Sequence, residues 1–279
     1  MEKIWIAGAK GHVGSALCDL LDCRHYEILP TDLEEVDITD RESVSNYVRV
    51  SRPDVLINCV GFGDIASCEA QPDKAYQVNT VGARNLAVQA QAIGAKLIHL
   101  STDDVFSHHA RQPYNEFPTP STIYGKSKLA GERFVQNLCT RHVIVRSSWV
   151  YGIGKDFVNT ILEAANNPSV TSMEVAENEF ASPTSATELA KVIEQLIDND
   201  CLGIYHAVCG GFCSRFEFAQ AILKAIHAKD KLTLKPISDS ETINYSVLDN
   251  MMLRLENFTQ PISWQQALKD YIRTTGGNN

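Results

Sequence analysis

Short apolar runs alternate with helix-period segments through the first two thirds of the chain, and this alternation constrains the fold more than any other feature. The predicted strands are apolar throughout rather than at every second position, and they lie at 3–7, 26–30, 54–60, 96–101 and 142–147. Helices are predicted between them at 13–22, 41–50, 75–93 and 121–138. Strands that are apolar on both faces are typical of parallel sheets covered by helices on both sides. We therefore predict an α/β fold with a doubly wound parallel sheet.

A glycine-rich turn follows the first predicted strand and opens the first predicted helix, with the sequence Gly8-Ala9-Lys10-Gly11-His12-Val13-Gly14. Gly8 would permit the tight turn, Gly11 would let the backbone approach a pyrophosphate, and Gly14 would allow close packing of the helix. The N-terminus of the helix offers unpaired N–H groups and a positive dipole end to phosphates. The turn therefore favours a Rossmann-type dinucleotide site over a glycine-rich turn that binds no ligand.

Asp32 follows the second predicted strand, where an acidic residue can accept hydrogen bonds from the adenosine ribose hydroxyls. Leu33 comes next, rather than an arginine that would bind a 2′-phosphate, and this favours NADH. Lys10 argues the other way, because its ammonium could reach a 2′-phosphate. We expect NADH or NADPH as the cofactor, and Asp32 favours NADH.

Tyr124 and Lys128 stand four residues apart on a predicted helix, so the phenol and the ammonium would project from one face. A nearby ammonium lowers the pKa of a phenol, which would suit Tyr124 to giving a proton to a carbonyl oxygen. A hydroxyl from Ser101 or Thr102 could hold the same oxygen. The spacing alone is weak evidence, because it occurs by chance on many amphipathic helices. It gains weight because all these motifs fall at the carboxyl ends of predicted parallel strands.

The pattern becomes less regular after residue 150, with helices predicted at 157–165, 186–197, 216–227 and 264–272 and a strand at 204–208. We expect residues 1–150, together with about 186–208, to form an NAD(P)-binding Rossmann domain. Residues 151–185 and 209–279 are expected to form a smaller lobe that binds the substrate.

The composition argues against several classes of function. A net charge of −9 argues against a nucleic-acid partner bound through phosphate contacts. The eight cysteines form no Cys-x-x-Cys pair, so reduced thiols are expected. No stretch is long and apolar enough to span a bilayer, and Gly8 comes too early for the apolar core of a signal peptide, so we expect a cytoplasmic protein without a membrane partner. No metal site is predicted, because no metal-ligand spacing links His99, His108, His109 and His206.

These residues together resemble the extended short-chain dehydrogenase/reductase family, and within it the dTDP-4-dehydrorhamnose reductases. The matching segments cover nearly the whole chain and lie at 8–14, 52–58, 75–79, 101–103, 105–106, 124–132, 146–152, 182–184 and 246–249. The glycine motif and the Tyr-x-x-x-Lys motif are shared by the whole superfamily. The Ser-Thr-Asp, Ser-Trp-Val-Tyr-Gly and Ser-Val-Leu-Asp segments are more particular to these reductases.

The resemblance implies reduction of the C4 ketone of a nucleotide-linked deoxysugar, as in dTDP-L-rhamnose synthesis, with hydride from the nicotinamide. Tyr124 would protonate the new alkoxide, Thr102 would hydrogen-bond the same oxygen, and Lys128 would hold the nicotinamide ribose. The residues expected at the cofactor are Gly8, Lys10, Gly11, His12, Val13, Gly14, Asp32, Cys59, Val60, Gly61, Asn79, Tyr124 and Lys128. The residues expected at the substrate are Asp104 and Trp149.

The chain departs from the family pattern at three places. Asp104 stands where the family usually has tyrosine, and the loop 61–67 lacks the usual aspartate near Ala66. Asn244-Tyr245 replaces the common Arg-Pro, whose arginine is a natural contact for a diphosphate. These differences concern the substrate more than the chemistry.

Two alternatives therefore stay open at the level of sequence. One is a nucleotide-binding regulatory subunit on the same fold, like that of methionine adenosyltransferase. The other is a different nucleotide-sugar oxidoreductase or epimerase of the same superfamily. The sequence does not decide between a monomer and a homodimer.

Overall fold

The computed structural model of the protein describes residues 1–106, 117–228, 230–238 and 243–276. His108 and His109 lie outside the described residues. The first half of the chain forms, in order, β1 (Glu2–Ala7), α1 (His12–Leu20), β2 (Tyr26–Thr31), α2 (Arg41–Ser51), β3 (Val55–Asn58), α3 (Ile65–Ala70), α4 (Pro72–Tyr76), a π-helical segment (Gln77–Gly82), α5 (Ala83–Ile93), β4 (Lys96–Thr102), a 3₁₀ turn (Asp103–Val105), α6 (Ile123–Leu138) and β5 (His142–Ser147).

The second half contains shorter strands and five further helices among its described residues. In order, they are β6 (Val150–Tyr151), α7 (Phe157–Asn166), β7 (Ser172–Ala176), β8 (Glu179–Ala181), β9 (Thr184–Ser185), α8 (Ala186–Asp198), β10 (Gly203–His206), β11 (Cys213–Ser214), α9 (Arg215–Ala225), β12 (Thr233–Ile237), β13 (Asn244–Tyr245), α10 (Met251–Leu255) and α11 (Trp264–Gly276). None of the helices in the described ranges is long and apolar enough to cross a membrane.

A six-stranded parallel sheet forms the centre of the fold, in the order β2-β1-β3-β4-β5-β10. The predicted α/β class with a doubly wound parallel sheet is therefore confirmed. The chain moves outward from β1 to β2 and then returns to the other side of β1 to form β3. This reversal opens a crevice beyond the carboxyl ends of β1 and β3, which is where sheets of this kind bind ligands.

The two faces of the sheet carry separate apolar layers. Ile4 and Ile6 of β1 face the layer that contains α1 and α8, whereas Trp5 faces the layer that contains α2 and α5. Side chains alternate across a strand, so each of the four apolar residues Ile4 to Ala7 of β1 is buried on one face or the other. Burial of each such side chain contributes about 1.5–3 kcal/mol, which explains why these strands have no polar face.

A third apolar cluster lies in the second half of the chain, around Tyr151, Val158, Phe218 and Trp264. We propose that it is the core of the smaller, substrate-binding lobe. The pairing of β10 with β5 supports the assignment of the segment around 186–208 to the main domain. Leu253 of α10 packs into the apolar layer of α1 and α8, although it falls within the range 209–279 assigned to the lobe.

The helix predicted at 75–93 is interrupted in the structure. α4 and α5 are joined by the π-helical segment, whose wider turn changes the direction of the side chains between them. The sequence predicts one strand after residue 150, at 204–208, and it corresponds to β10 (Gly203–His206). The short strands β6 to β9 and β11 to β13 are not predicted. They have two to five residues each, too few for a periodic pattern to be recognised.

Candidate active site

The turn after β1 contains three glycines, and at two of them a side chain would collide with the protein's own backbone. Gly8 has φ of +84°, and a Cβ there would lie 3.0 Å from the Val60 backbone nitrogen. A Cβ on Gly14 would lie only 2.1 Å from the Gly8 carbonyl oxygen, so the start of α1 could not pack against the turn. At Gly11 the nearest atom would be 3.4 Å away, an ordinary contact. The protein itself therefore leaves Gly11 free to serve a ligand that approaches the backbone.

The N-terminus of α1 lies at the carboxyl edge of the sheet. Gly11 caps the helix without a side-chain hydrogen bond, so the first N–H groups receive no acceptor from the cap residue. The Val13 side chain packs in the core, and only its backbone is left to serve a ligand. His12 Nδ1 lies 2.7 Å from the Ile153 carbonyl oxygen and ties α1 to the loop that follows β6. This helix end suits a phosphate by its N–H groups and its dipole.

Asp32, directly after β2, organises the glycine turn. Its carboxylate accepts hydrogen bonds from the Lys10 backbone N–H at 3.0 Å and from the Leu33 backbone N–H at 2.8 Å. The Lys10 ammonium forms an ion pair with the Glu34 carboxylate at 2.6 Å. Both groups lie where the adenosine ribose of a dinucleotide would be expected.

The turn after β3 is held by Asn79 of the π-helical segment. The Asn79 side-chain oxygen accepts from the Phe62 backbone N–H at 2.8 Å, and its NH₂ group donates to the Phe62 carbonyl at 2.9 Å and to the Ser127 hydroxyl at 2.9 Å. Asn79 therefore joins this turn to α6. Its amide is occupied by the protein, so we propose that Asn79 positions this turn rather than contacting a cofactor directly.

Cys59 and Val60, which begin this turn, contact the glycine turn from the other side of the crevice. The Gly8 position lies against the backbone of both residues. Burial raises the pKa of the Cys59 thiol, so it stays neutral. A side chain at Gly61 would meet the Lys128 ammonium at 4.0 Å, which places that ammonium beside the turn.

Helix α6 brings Tyr124 and Lys128 into the crevice. Thr122 caps the helix and accepts a hydrogen bond from the Gly125 backbone N–H at 3.0 Å. A Cβ on Gly125 would lie 1.9 Å from the Asp104 carbonyl oxygen, so α6 can approach the end of β4 only because residue 125 is glycine. This approach brings the Tyr124 phenol beside the Thr102 hydroxyl, which acts to lower the pKa of the phenol.

The charges around Tyr124 and Lys128 contradict one expectation. Burial, followed by the nearby Asp104 carboxylate, raises the pKa of Tyr124 above its ordinary value of 10.0. The expectation that Lys128 lowers the pKa of Tyr124 is therefore wrong for the protein alone, because desolvation outweighs the ammonium one turn away. Burial also lowers the pKa of Lys128 to about 8, and the ammonium donates to the Leu100 carbonyl at 2.6 Å. A raised pKa keeps the phenol protonated at neutral pH, as a proton donor must be.

Of the two candidate hydroxyls at the end of β4, only Thr102 lies beside the phenol. Ser101 instead donates to Glu132 at 2.5 Å, and Glu132 forms a buried two-point ion pair with Arg146 at 2.7 and 2.9 Å. The alternative role for Ser101 is therefore wrong. Successive strand residues face opposite ways, so one hydroxyl faces α6 and the other faces the pocket. The buried pair was missed by sequence because nothing marks Glu132 and Arg146 as partners.

Asp104 and Trp149, the two residues expected at the substrate, follow the neighbouring strands β4 and β5. An Asp104 carboxylate oxygen lies 3.3 Å from the Thr102 hydroxyl. Trp149 has φ of +42°, an unfavourable conformation for a large side chain that the surrounding structure must hold in place. The Arg215 guanidinium carbon lies 3.4 Å from the centre of the Trp149 ring. Arg215 was also missed, since its sequence context, Ser214-Arg215-Phe216-Glu217, signals only a helix start.

His99 and His206, the two candidate metal ligands among the described residues, are buried inside the protein. Asn58 lies 3.0 Å from His99 Nδ1, and burial keeps the pKa of His99 well below its usual value. His206 packs edge-on against Phe106. Among the residues that the structure describes, no group of three or more His, Cys, Asp or Glu side chains is arranged to hold a metal ion.

The chain is similar to known proteins over nearly its whole length. The sequence model of the RmlD substrate binding domain matches residues 1–276. The spore coat polysaccharide biosynthesis protein SpsK of Bacillus subtilis (strain 168) is 34% identical, over 98% of this chain and 98% of its own length. The dTDP-4-dehydrorhamnose reductase of Mycolicibacterium smegmatis is 33% identical, over 99% of this chain and 86% of its own length. A crystal structure of dTDP-4-dehydrorhamnose reductase from Bacillus anthracis str. Ames in complex with NADP is 36% identical, covers 99% of this chain and 100% of its own, and has a TM-score of 0.94.

Proposed function

Because this chain belongs to the RmlD substrate binding domain family, we propose that it is an NAD(P)H-dependent reductase of the C4 ketone of a nucleotide-linked deoxysugar. Relatives named dTDP-4-dehydrorhamnose reductase support this activity and a place in dTDP-L-rhamnose synthesis. The observation that carries the proposal is the meeting of Thr102, Tyr124 and Lys128 beside the turn after β3.

The residues at the carboxyl edge of β1 and β3 fit a nicotinamide dinucleotide. The uncapped N-terminus of α1 and the open position at Gly11 suit its pyrophosphate, and Asp32 suits its adenosine ribose. The turn Cys59–Gly61 and the Lys128 ammonium would lie along its nicotinamide half. Bound there, the dinucleotide supplies the hydride that reduces the ketone.

The protein's own part in the reaction is to supply and hold a proton. The Tyr124 phenol, which is protonated at neutral pH as a phenol with an ordinary or raised pKa is, donates to the C4 oxygen as the alcohol forms. The Thr102 hydroxyl, next to the phenol, donates a hydrogen bond to the same oxygen. The Lys128 ammonium then offsets the negative charge left on the phenol.

NADH is proposed as the favoured cofactor. Asp32 stands where a 2′-phosphate would meet its negative charge, and the Lys10 ammonium that could attract such a phosphate is paired with Glu34. The relative from Bacillus anthracis was crystallised with NADP, so the preference of this chain is a property to be measured. The ratio of kcat/KM with NADH to that with NADPH tests it, and a ratio well below one would contradict the role given to Asp32.

The proposed reaction can be tested with dTDP-4-keto-6-deoxy-L-lyxo-hexose and NADH or NADPH. We expect oxidation of the dinucleotide, followed by its absorbance at 340 nm, and formation of a single dTDP-deoxysugar alcohol. Turnover of another nucleotide-linked 4-keto sugar only would retain the chemistry and change the substrate. If no such sugar is reduced while the protein binds tightly to another enzyme, the regulatory alternative would replace the proposal.

A further inference from the structure

Arg215 contacts Trp149, which follows β5 two residues beyond Ser147, and Ser147 pairs with Thr102 at the end of the neighbouring strand β4. It is the first residue of α9, and its guanidinium carbon lies 3.4 Å from the centre of the Trp149 ring and 4.8 Å from that of Phe157. About a fifth of the side chain remains exposed, at 22%. The guanidinium therefore covers the face of the Trp149 ring that it stacks on, and a sugar on that side would meet Arg215 rather than the indole.

The charged groups around this guanidinium are carboxylates. Glu179 lies 3.8 Å from Nε; burial lowers the pKa of Arg215, and the nearby Glu179, Asp103 and Asp104 carboxylates act against that lowering. Asp104 also lies beside Thr102 and influences Tyr124. One cation and several anions thus line the space next to the phenol that would protonate the ketone.

We infer that Arg215 and Asp104 form a donor–acceptor pair that binds the ring hydroxyls next to the ketone of the sugar, an inference that rests on the proposed function. The rings of Trp149 and Phe157 cover the guanidinium, so its in-plane N–H groups are what remains for a ligand. Those groups donate to hydroxyl oxygens, and the Asp104 carboxylate accepts from hydroxyl hydrogens. A carbon next to C4 carries such a hydroxyl in the 4-keto-6-deoxyhexoses.

A diphosphate fits this place less well than a neutral sugar. Its negative charges would lie beside Asp104 and Glu179 as well as beside Arg215, and like charges at such distances repel in a partly desolvated pocket. Hydroxyl groups have no such conflict, because they can donate to the carboxylates and accept from the guanidinium at once. Asp104 stands where the family usually has tyrosine, so the pair would also distinguish this chain from relatives with an aromatic side chain there.

The test separates binding of the sugar from binding of the nucleotide. Kinetics with dTDP-4-keto-6-deoxy-L-lyxo-hexose would be measured for the wild type, Arg215→Gln, Arg215→Lys and Asp104→Asn, together with the Kd for dTDP, which carries the diphosphate but not the deoxyhexose. We expect kcat/KM to fall about 10- to 100-fold in Arg215→Gln and about 10-fold in Asp104→Asn, because each loses a hydrogen bond to a charged group. The Kd for dTDP should stay within about twofold of the wild type, since no diphosphate contact is lost.

Arg215→Lys keeps the charge and the long side chain but not the planar fork, so it should also lose about 10-fold in kcat/KM while folding normally. If Arg215→Gln does not fold, Arg215→Lys and Asp104→Asn together still test the inference. A dTDP affinity that falls by the same factor as kcat/KM would overturn the inference in favour of a diphosphate contact. Unchanged kcat/KM in an active enzyme would overturn it in favour of packing alone. A wild type that reduces no nucleotide-linked 4-keto sugar would overturn the proposed function, and this inference with it.

Discussion

Two regions meet at the carboxyl edge of the central sheet, and they are built in different ways. On the side proposed to bind the cofactor (the cofactor side), the glycine turn, the N-terminus of α1 and the turn after β3 present backbone groups, which are held by Asp32 and Asn79. On the side proposed to bind the sugar (the sugar side), the side chains of Asp104, Trp149 and Arg215 come from three distant parts of the chain. Backbone geometry suits a cofactor whose shape is common to many enzymes, and side chains can be exchanged to suit one sugar.

Tyr124 lies where the two regions meet, and its replacement should have the largest effect. Tyr124→Phe keeps the ring and removes the proton donor, so kcat should fall by about 10²- to 10⁴-fold while the Kd for NADH changes less than about twofold. Steady-state kinetics and a fluorescence titration with NADH measure the two quantities. A kcat within tenfold of the wild type would mean that another group donates the proton.

Close packing between α6 and the end of β4 should be the next most sensitive feature. Gly125→Ala would place a Cβ 1.9 Å from the Asp104 carbonyl oxygen, and we expect a loss of about 1–3 kcal/mol in the free energy of unfolding. The shift of Tyr124 from Thr102 should also lower kcat by about 100-fold.

Gly94→Ala is the matched control for Gly125→Ala. Gly94 has φ of +74° but open space around it, so we expect a loss of about 1 kcal/mol from backbone strain and normal kcat. Urea unfolding and kinetics on both variants provide the comparison. Equal kcat values in the two variants would show that the approach of α6 to β4 does not position the catalytic groups.

Lys128 should show a conflict between stability and activity. Its pKa in the folded protein is about 8, below the ordinary 10.5, so folding disfavours its proton. This cost is fully present below pH 8 and disappears as the pH rises towards 10.5, where the unfolded chain also loses the proton. Lys128→Met removes the cost but leaves the Leu100 carbonyl without its donor, so it should be about 1–2 kcal/mol more stable than the wild type at pH 7.

The advantage of Lys128→Met should shrink between pH 8 and pH 10, and its kcat should be strongly reduced at both. Urea unfolding of the two proteins at pH 7 and pH 9.5 measures the change. A variant that is less stable than the wild type by the same amount at both values would show that the buried ammonium carries no such cost.

The smallest effect is expected at the adenosine end of the cofactor side. Glu34→Gln would release the Lys10 ammonium from its ion pair, and we expect kcat/KM with NADPH relative to NADH to rise by about 3- to 10-fold. Glu27→Gln, which alters the exposed Lys3–Glu27 pair elsewhere on the surface, is the control and should leave the ratio unchanged. An unchanged ratio in Glu34→Gln would mean that Lys10 does not reach the 2′ position.

The cofactor side was largely predictable from sequence, and the sugar side was not. Gly8 and Gly14 are required by the local path of the chain, so their spacing alone indicates the turn. Arg215 lies near Trp149 and Asp104 only because of the tertiary fold, and no local pattern encodes that meeting. The lowered pKa expected for Tyr124 was wrong because spacing shows the neighbouring charge but not the depth of burial. The π-helical segment was missed because its composition is that of an ordinary helix.

Asn79 has a practical consequence for protein engineering. Its single amide bonds the backbone after β3 on both the N–H and the C=O of Phe62 and also bonds Ser127 in α6. The turn after β3 and the helix that carries Tyr124 are thereby joined to each other without any residue of the proposed smaller lobe. Residues proposed to bind the sugar can accordingly be exchanged for those of relatives without disturbing this connection. Libraries that vary positions 104, 149 and 215 leave the hydrogen bonds of Asn79 unchanged.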